Sequence, residues 1–136
     1  MTFVSAHCAD ACPIINAQFA LLQQRITRSK LDVRLVTVTL DPEHDTLPDM
    51  RRMAQQFRAG PQIWHFVGGN GRDIHALMRR YGVVAVRGNR GYADQHTTFV
   101  YLLDRRGNLR KTTLASTDLT AVVFAEFFHN WRALNQ

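Results

Sequence analysis

The chain has 136 residues, of which 46% are hydrophobic and 21% charged, so we expect one globular domain spanning residues 1–136. No apolar run approaches the roughly 18 residues of a membrane span. No zinc-finger spacing and no aromatic RNA-binding signature occurs, which argues against nucleic acid as a partner. The net charge of +6 comes mainly from scattered arginines, as on solvated basic faces, and we expect at most weak attraction to acidic proteins or anionic membrane surfaces.

The first part of the chain predicts a strand, a helix and a second strand. A β-prone segment at 2–5 precedes a helix that continues to about Lys30 and carries one apolar stripe, formed by Ile15, Phe19, Leu22 and Ile26. Proline is tolerated only in the first turn of a helix, so Pro13 places Cys12 at or just before that turn. Residues 33–40 are rich in β-branched side chains and predict the clearest strand of the chain.

The rest of the chain continues the alternation. A second helix is expected to open at Asp45 or Thr46, either of which is a suitable cap, and to run to about Phe57. The later elements are predicted as a strand at 63–67, a glycine-rich turn at 68–71, a helix at 73–81 ended by Gly82, an irregular loop at 83–95, strands at 97–103 and 109–114 joined by a turn at 105–108, and an amphipathic helix at about 118–134. With a cysteine pair after the first strand, this order predicts a thioredoxin-like α/β fold: a three-layer sandwich around a mixed central sheet.

The only two cysteines of the chain, Cys8 and Cys12, stand four residues apart. On a helix that spacing puts them on one face, about 6 Å apart, within the window of about 4.4–6.8 Å for a disulfide. The unpaired N–H groups and the dipole of a helix N-terminus favour thiolate over thiol. The pair is therefore suited to bind a soft metal such as Cu(I) or to act as a redox-active dithiol; a static disulfide is the weaker interpretation.

A histidine is the natural third ligand, and His96 is the favoured one because it stands at the head of an apolar strand. His7 neighbours Cys8 and is a candidate fourth ligand or a modifier of the cysteine pKa, although exposure without function is the favoured interpretation. His44 follows the strand at 33–40, at the strand edge where α/β sites assemble. The roles of these two stay open. His75 and His129 fall on helices, where surface or capping roles are expected, and His65 alternates within a strand.

The chain resembles the Sco/SenC family of thioredoxin-like copper-binding proteins. The resemblance covers nearly the whole chain and rests on Cys8-Ala-Asp-Ala-Cys12-Pro13, Asp41-Pro42-Glu43-His44-Asp45-Thr46, Trp64 with Gly68-Gly69, Tyr81-Gly82-Val83, and Tyr92-Ala93-Asp94-Gln95-His96-Thr97-Thr98 leading into the strand to Asp104. Together these motifs are specific, although each alone would be weak.

The resemblance implies metal ligation by Cys8, Cys12 and His96, with Cu(I) or Cu(II) as the ion. It implies a metallochaperone that helps to assemble the binuclear copper site of cytochrome c oxidase, with subunit II of the oxidase or another copper or thiol protein as partner. The alternative is a thiol-disulfide oxidoreductase that uses Cys8 and Cys12 as its redox pair. A monomer at the periplasmic face of the bacterial inner membrane is expected.

Two departures from the family pattern stand out. Ala9 replaces a proline that often follows the first cysteine, which loosens the loop and spares both ligands. No signal peptide, anchor or N-terminal hairpin is recognised before residues 2–5, so we expect a domain that is truncated at its N-terminus, with membrane contact only through a missing anchor or weakly through its basic surface.

Overall fold

The computed structural model describes residues 1–7, 11–87, 93–96, 99–115 and 118–134, with backbone only for 11–12, 93–96 and 130–134. These parts form an α/β fold of four helices and seven strands. In chain order the elements are β1 (Thr2–Val4), α1 (Ala11–Ser29), β2 (Leu35–Thr39), α2 (Leu47–Gln56), β3 (Trp64–Val67), α3 (Gly71–Arg80), β4 (Ala85–Arg87), β5 (Ala93–His96), β6 (Phe99–Leu103), β7 (Leu109–Leu114) and α4 (Leu119–Leu134). None of the helices in these ranges is both long and apolar enough to cross a bilayer.

Strand β1 lies between β2 and β6. It pairs in parallel with β2, which pairs in parallel with β3. On its other side, Met1 and Tyr101 each donate an N–H to the carbonyl of the other at 2.8 Å, the pattern of an antiparallel pair. Strand β6 therefore runs alongside β1 and brings its antiparallel partner β7 with it, so parallel and antiparallel pairing are both present.

Apolar residues are buried on both faces of these strands. On one face the α1 stripe is fully buried against Val4, Trp64 and Val100, and the four stripe residues are those predicted: Ile15, Phe19, Leu22 and Ile26. On the other face Phe3 and Tyr101 pack with α3. Because neighbouring strand residues point to opposite faces, Phe3 and Val4 belong to different clusters.

The ends of α2 and α3 follow local capping rules. Thr46, rather than Asp45, caps α2: its hydroxyl accepts from the Asp49 N–H while the Asp49 carboxylate accepts from the Thr46 N–H. The predicted turn at 68–71 is one residue too long, since Gly71 is the first residue of α3 and Asn70 is its cap. Gly82 ends that helix region with a φ of +66°, a left-handed conformation that suits glycine.

The predicted irregular loop at 83–95 is wrong. It contains β4 and most of β5, which pair antiparallel with Ala85 opposite His96 and a register shift between Val86 and Arg87. His96 therefore ends β5 instead of opening the strand predicted at 97–103, and β6 begins at Phe99. We call the β4 and β5 pair the β4–β5 ribbon.

Candidate metal centre

The three predicted ligands are described to different degrees. Cys12 is the second residue of α1, in its first turn, as Pro13 predicted. His96 lies at the end of β5 with its backbone opposite Ala85. Cys8 falls outside the described residues, and side chains are not described for the other two. That their sulfur and nitrogen atoms meet at one point stays a prediction.

The candidate site lies at one edge of the sheet. β1 ends at Val4 just before the cysteine segment, and β2 ends at Thr39 just before the loop at residues 40–46, called here the β2–α2 loop. Because β1 and β2 are parallel, their carboxyl ends meet at the same edge, the edge at which α/β proteins usually place their sites. The N-terminus of α1 and the β2–α2 loop are therefore neighbours.

A buried carboxylate, Asp45, joins these two segments. Its side chain is 0% exposed, and its Oδ2 accepts from the Thr39 hydroxyl at 2.8 Å and from the Ala6 N–H at 3.1 Å. Its Oδ1 lies 3.2 Å from Nδ1 of His7. Burial raises the pKa of Asp45, and the hydrogen bonds from Thr39, Ala6 and His7 oppose that rise. Asp45 thus fastens the two residues that precede Cys8 to the β2–α2 loop.

A second buried carboxylate, Asp41, joins the β2–α2 loop to the β4–β5 ribbon. Its side chain is also 0% exposed, and its Oδ1 accepts from Nη1 of Arg87 at 3.0 Å. His44 Nδ1 lies 3.0 Å from the same oxygen. Nη2 of Arg87 donates to Oε2 of Glu43 at 3.3 Å. The hydrogen bond with Asp41 raises the pKa of Arg87, so this guanidinium stays charged at any working pH.

The histidines divide into those with carboxylate partners and those on open surface. His7 pairs with the buried Asp45, and His44 pairs with the buried Asp41. The sequence pattern did not predict these carboxylate partners. His75, expected to have a surface or capping role, pairs with Glu43, and the hydrogen bond from its ring lowers the pKa of Glu43. Among the histidines whose side chains are described, the other two, His65 and His129, are exposed.

Sequence reasoning missed the carboxylates as functional neighbours of the site. The signal was present in Asp41 and Asp45, because an aspartate that follows a buried strand is placed at the site edge. Arg87, the partner of Asp41, could not be predicted from local sequence, since it lies 46 positions away. Across the residues whose side chains are described, no group of three His, Cys, Asp or Glu is arranged to hold a metal ion.

Comparisons with known proteins place these features in a family. The sequence model of the SCO1/SenC family matches residues 1–126. An SCO2-like protein of Rickettsia prowazekii is 27% identical over 128 residues, which cover 90% of this chain and 60% of that protein. The chain thus spans less than two thirds of the length of this relative.

Solved structures share the fold. A SCO1/SenC family lipoprotein from Bacillus anthracis has a TM-score of 0.83 at 24% identity, covering 93% of this chain and 77% of that one. Arabidopsis thaliana ScoI, solved with copper bound, has a TM-score of 0.81 at 25% identity, covering 94% and 82%. BsSco, described as a cytochrome c oxidase assembly protein of the Sco family with a disulfide switch, has a TM-score of 0.77 at 19% identity, covering 93% and 72%.

Proposed function

This chain belongs to the SCO1/SenC family, and on that premise we propose that it is a copper metallochaperone that assists assembly of the binuclear copper site of cytochrome c oxidase. Copper is the cargo, and Cys8, Cys12 and His96 are its ligands. The family match carries this proposal, because residues 1–126 include all three. The copper-bound state of Arabidopsis ScoI supports the choice of metal.

The chemistry of the donors fits copper. Two thiolates suit Cu(I), and an imidazole also suits Cu(II). Cys12 lies in the first turn of α1, where free N–H groups and the helix dipole stabilise a thiolate. A site with only three protein ligands leaves room for a ligand from an acceptor protein. We propose oxidase subunit II, or another copper or thiol protein, as that acceptor.

The remaining parts of the proposal follow the family resemblance. The domain acts as a monomer at the periplasmic face of the bacterial inner membrane. Residues 1–136 form one thioredoxin-like three-layer domain. The net charge of +6 adds at most a weak attraction to an acidic acceptor or an anionic surface.

Anaerobic titration of the reduced protein with Cu(I), and separately with Cu(II), tests the ligand set. We expect one equivalent to bind, Cys12→Ser to abolish tight binding, and His96→Ala to weaken it, most of all for Cu(II). His65→Ala is the matched control, because His65 is exposed on β3, and it should bind like wild type. Unchanged affinities and an unchanged Cu(II) spectrum in His96→Ala would refute the three-ligand site.

A second function, thiol-disulfide oxidoreductase, is favoured by the position of Cys12 at a helix N-terminus and by the disulfide switch described for BsSco. One thiolate of the pair would attack a partner disulfide and form a mixed disulfide, which the second thiolate would resolve. Two electrons then pass to the partner, Cys8 and Cys12 become a disulfide, and the two partner thiolates take up from solvent the protons that the cysteines released on ionisation. Full reductase activity toward a disulfide-bonded peptide in His96→Ala, without copper binding in wild type, would favour this function over the first.

A further inference from the structure

Arg87 occupies a bridging position between two parts of the candidate site. It is the last residue of β4, and its partner strand β5 ends at His96. Its side chain leaves the ribbon and reaches Asp41 at 3.0 Å and Glu43 at 3.3 Å, both in the β2–α2 loop. The ribbon that carries His96 is thus attached to the loop through one guanidinium that contacts two carboxylates.

The loop end of this attachment is rigid. Asp41 is fully buried, its N–H donates to the Thr39 hydroxyl at 3.0 Å, and that hydroxyl donates to Asp45. Asp45 in turn accepts from the N–H of Ala6, two residues before Cys8. A continuous chain of hydrogen bonds therefore runs from the segment next to the first cysteine, through the β2–α2 loop, to the strand pair of His96.

In the described part of the ribbon, burial of apolar side chains is slight. Ala85 of β4 is half-buried while Val86 and Arg87 are exposed, so burial of apolar side chains contributes little to the position of this strand. A guanidinium that contacts a buried carboxylate is a directional constraint, since charge-assisted hydrogen bonds are short. Removal of Arg87 takes a charged donor away from Asp41, whose Oδ1 then keeps His44 Nδ1 at 3.0 Å.

We propose that Arg87 is a positioning residue for His96: through Asp41 and Glu43 it holds the β4–β5 ribbon against the β2–α2 loop and so sets the imidazole relative to the cysteine segment. This inference deepens the proposed function and rests on it for the role of His96. The attachment of the ribbon itself rests only on the described contacts.

The first readout needs no copper. Amide hydrogen exchange of β4 and β5 is measured in the reduced apo protein for wild type, Arg87→Ala and Arg34→Ala. Arg34→Ala is the matched control, because it removes the same charge and breaks an arginine–aspartate pair, with Asp32, that is exposed on both sides. We expect exchange in β4 and β5 to be at least about 10-fold faster in Arg87→Ala and unchanged in Arg34→Ala.

The second readout is Cu(II) affinity and spectrum in a double-mutant cycle with His96→Ala. Loss of a residue that orients a ligand costs about 10- to 100-fold in metal affinity. We expect Arg87→Ala to lose about 10-fold in the presence of His96 and less than about twofold in the His96→Ala background. An equal loss in both backgrounds would overturn the positioning role, because Arg87 would then act independently of His96.

Two further outcomes are separated by the design. Unchanged exchange in β4 and β5 in Arg87→Ala overturns the inference whatever the copper data show. Failure of wild type to bind copper, with fast ribbon exchange in Arg87→Ala, refutes the metallochaperone and leaves the attachment confirmed. Should Arg87→Ala unfold, Asp41→Asn/Arg87→Gln removes both charges without leaving a buried charge unpaired, and fast exchange confined to β4 and β5 is expected there too.

Discussion

Thr39 links the buried Asp45 carboxylate to the backbone of Asp41, and replacing it with valine should be costly. Its hydroxyl donates to Asp45 at 2.8 Å and accepts from the Asp41 N–H at 3.0 Å, and its side chain is fully buried. A hydrogen bond to a charged group contributes about 2 kcal/mol, and an unpaired buried N–H costs about 2 kcal/mol. The added methyl returns about 0.8 kcal/mol. We expect Thr39→Val to lower the free energy of unfolding by about 3 kcal/mol.

The neighbouring Thr37 provides the control. It lies on the same face of β2, is equally buried, and accepts one uncharged hydrogen bond, from Nε1 of Trp64 at 2.9 Å. Thr37→Val leaves that indole N–H unpaired at about 2 kcal/mol and gains the same methyl, so a net loss of about 1 kcal/mol is expected. Urea unfolding of the reduced protein, followed by tryptophan fluorescence, measures both variants.

The pH dependence identifies the charged bond. The Thr39 hydroxyl favours the ionised form of Asp45, whose pKa burial raises, so Thr39→Val should raise that pKa further. The cost of Thr39→Val is then greatest above the folded pKa of Asp45 and falls as pH decreases through it. The gap of about 2 kcal/mol to Thr37→Val should narrow toward about 1 kcal/mol once pH falls below the folded pKa of Asp45. Equal costs for the two variants, or a gap that does not change with pH, would refute the reasoning.

Three further predictions concern other parts of the fold. Thr46→Ala should lower the free energy of unfolding by about 1 kcal/mol through loss of the α2 cap, whereas Thr46→Ser should stay within about 0.5 kcal/mol of wild type by urea titration. His75→Gln should raise the pKa of Glu43 toward its usual value, as read by carboxyl-carbon NMR. The stabilisation that corresponds to the lowered pKa is present above the unfolded pKa of Glu43 and is lost as pH falls through the folded pKa. A Glu43 titration in the variant that matches wild type would contradict the pairing. Phe19→Ala should cost about 3–5 kcal/mol by opening a cavity, while Ile14→Ala, at a side chain 63% exposed, should cost under about 0.5 kcal/mol in the same assay.

Local pattern was sufficient for the large elements. The apolar stripe of α1 from Ile15 to Ile26 has helical spacing because one face of that helix must be buried, and every residue of the stripe is buried. The strand predicted at 33–40 is observed as Leu35–Thr39, shorter at both ends. Residues close in sequence determine such elements, so the periodicity of the sequence predicts them.

The β4–β5 ribbon escaped prediction for the opposite reason. Ala85, Val86 and Arg87 are half-buried or exposed, so they show no alternation of apolar and polar side chains for a pattern to detect. Their pairing, and the contact of Arg87 with Asp41, depends on residues distant in sequence. The ligand set was predicted from chemistry and family resemblance; Cys8 lies outside the described residues, so its convergence with His96 stays a prediction.

The two neighbours of β1 are synthesised at different times. The hydroxyl of Thr2 in β1 donates to the carbonyl of Phe99, the first residue of β6, 97 positions later. The other neighbour of β1 is β2, which is synthesised within the first 40 residues. At about 5–20 residues per second, a ribosome needs about 3–12 s to add the roughly 60 residues between the end of β2 and the start of β6. During that interval Phe3 and Val4 lie in an incomplete sheet with one unpaired edge. Such an edge favours aggregation, so we expect chaperones to bind the nascent chain.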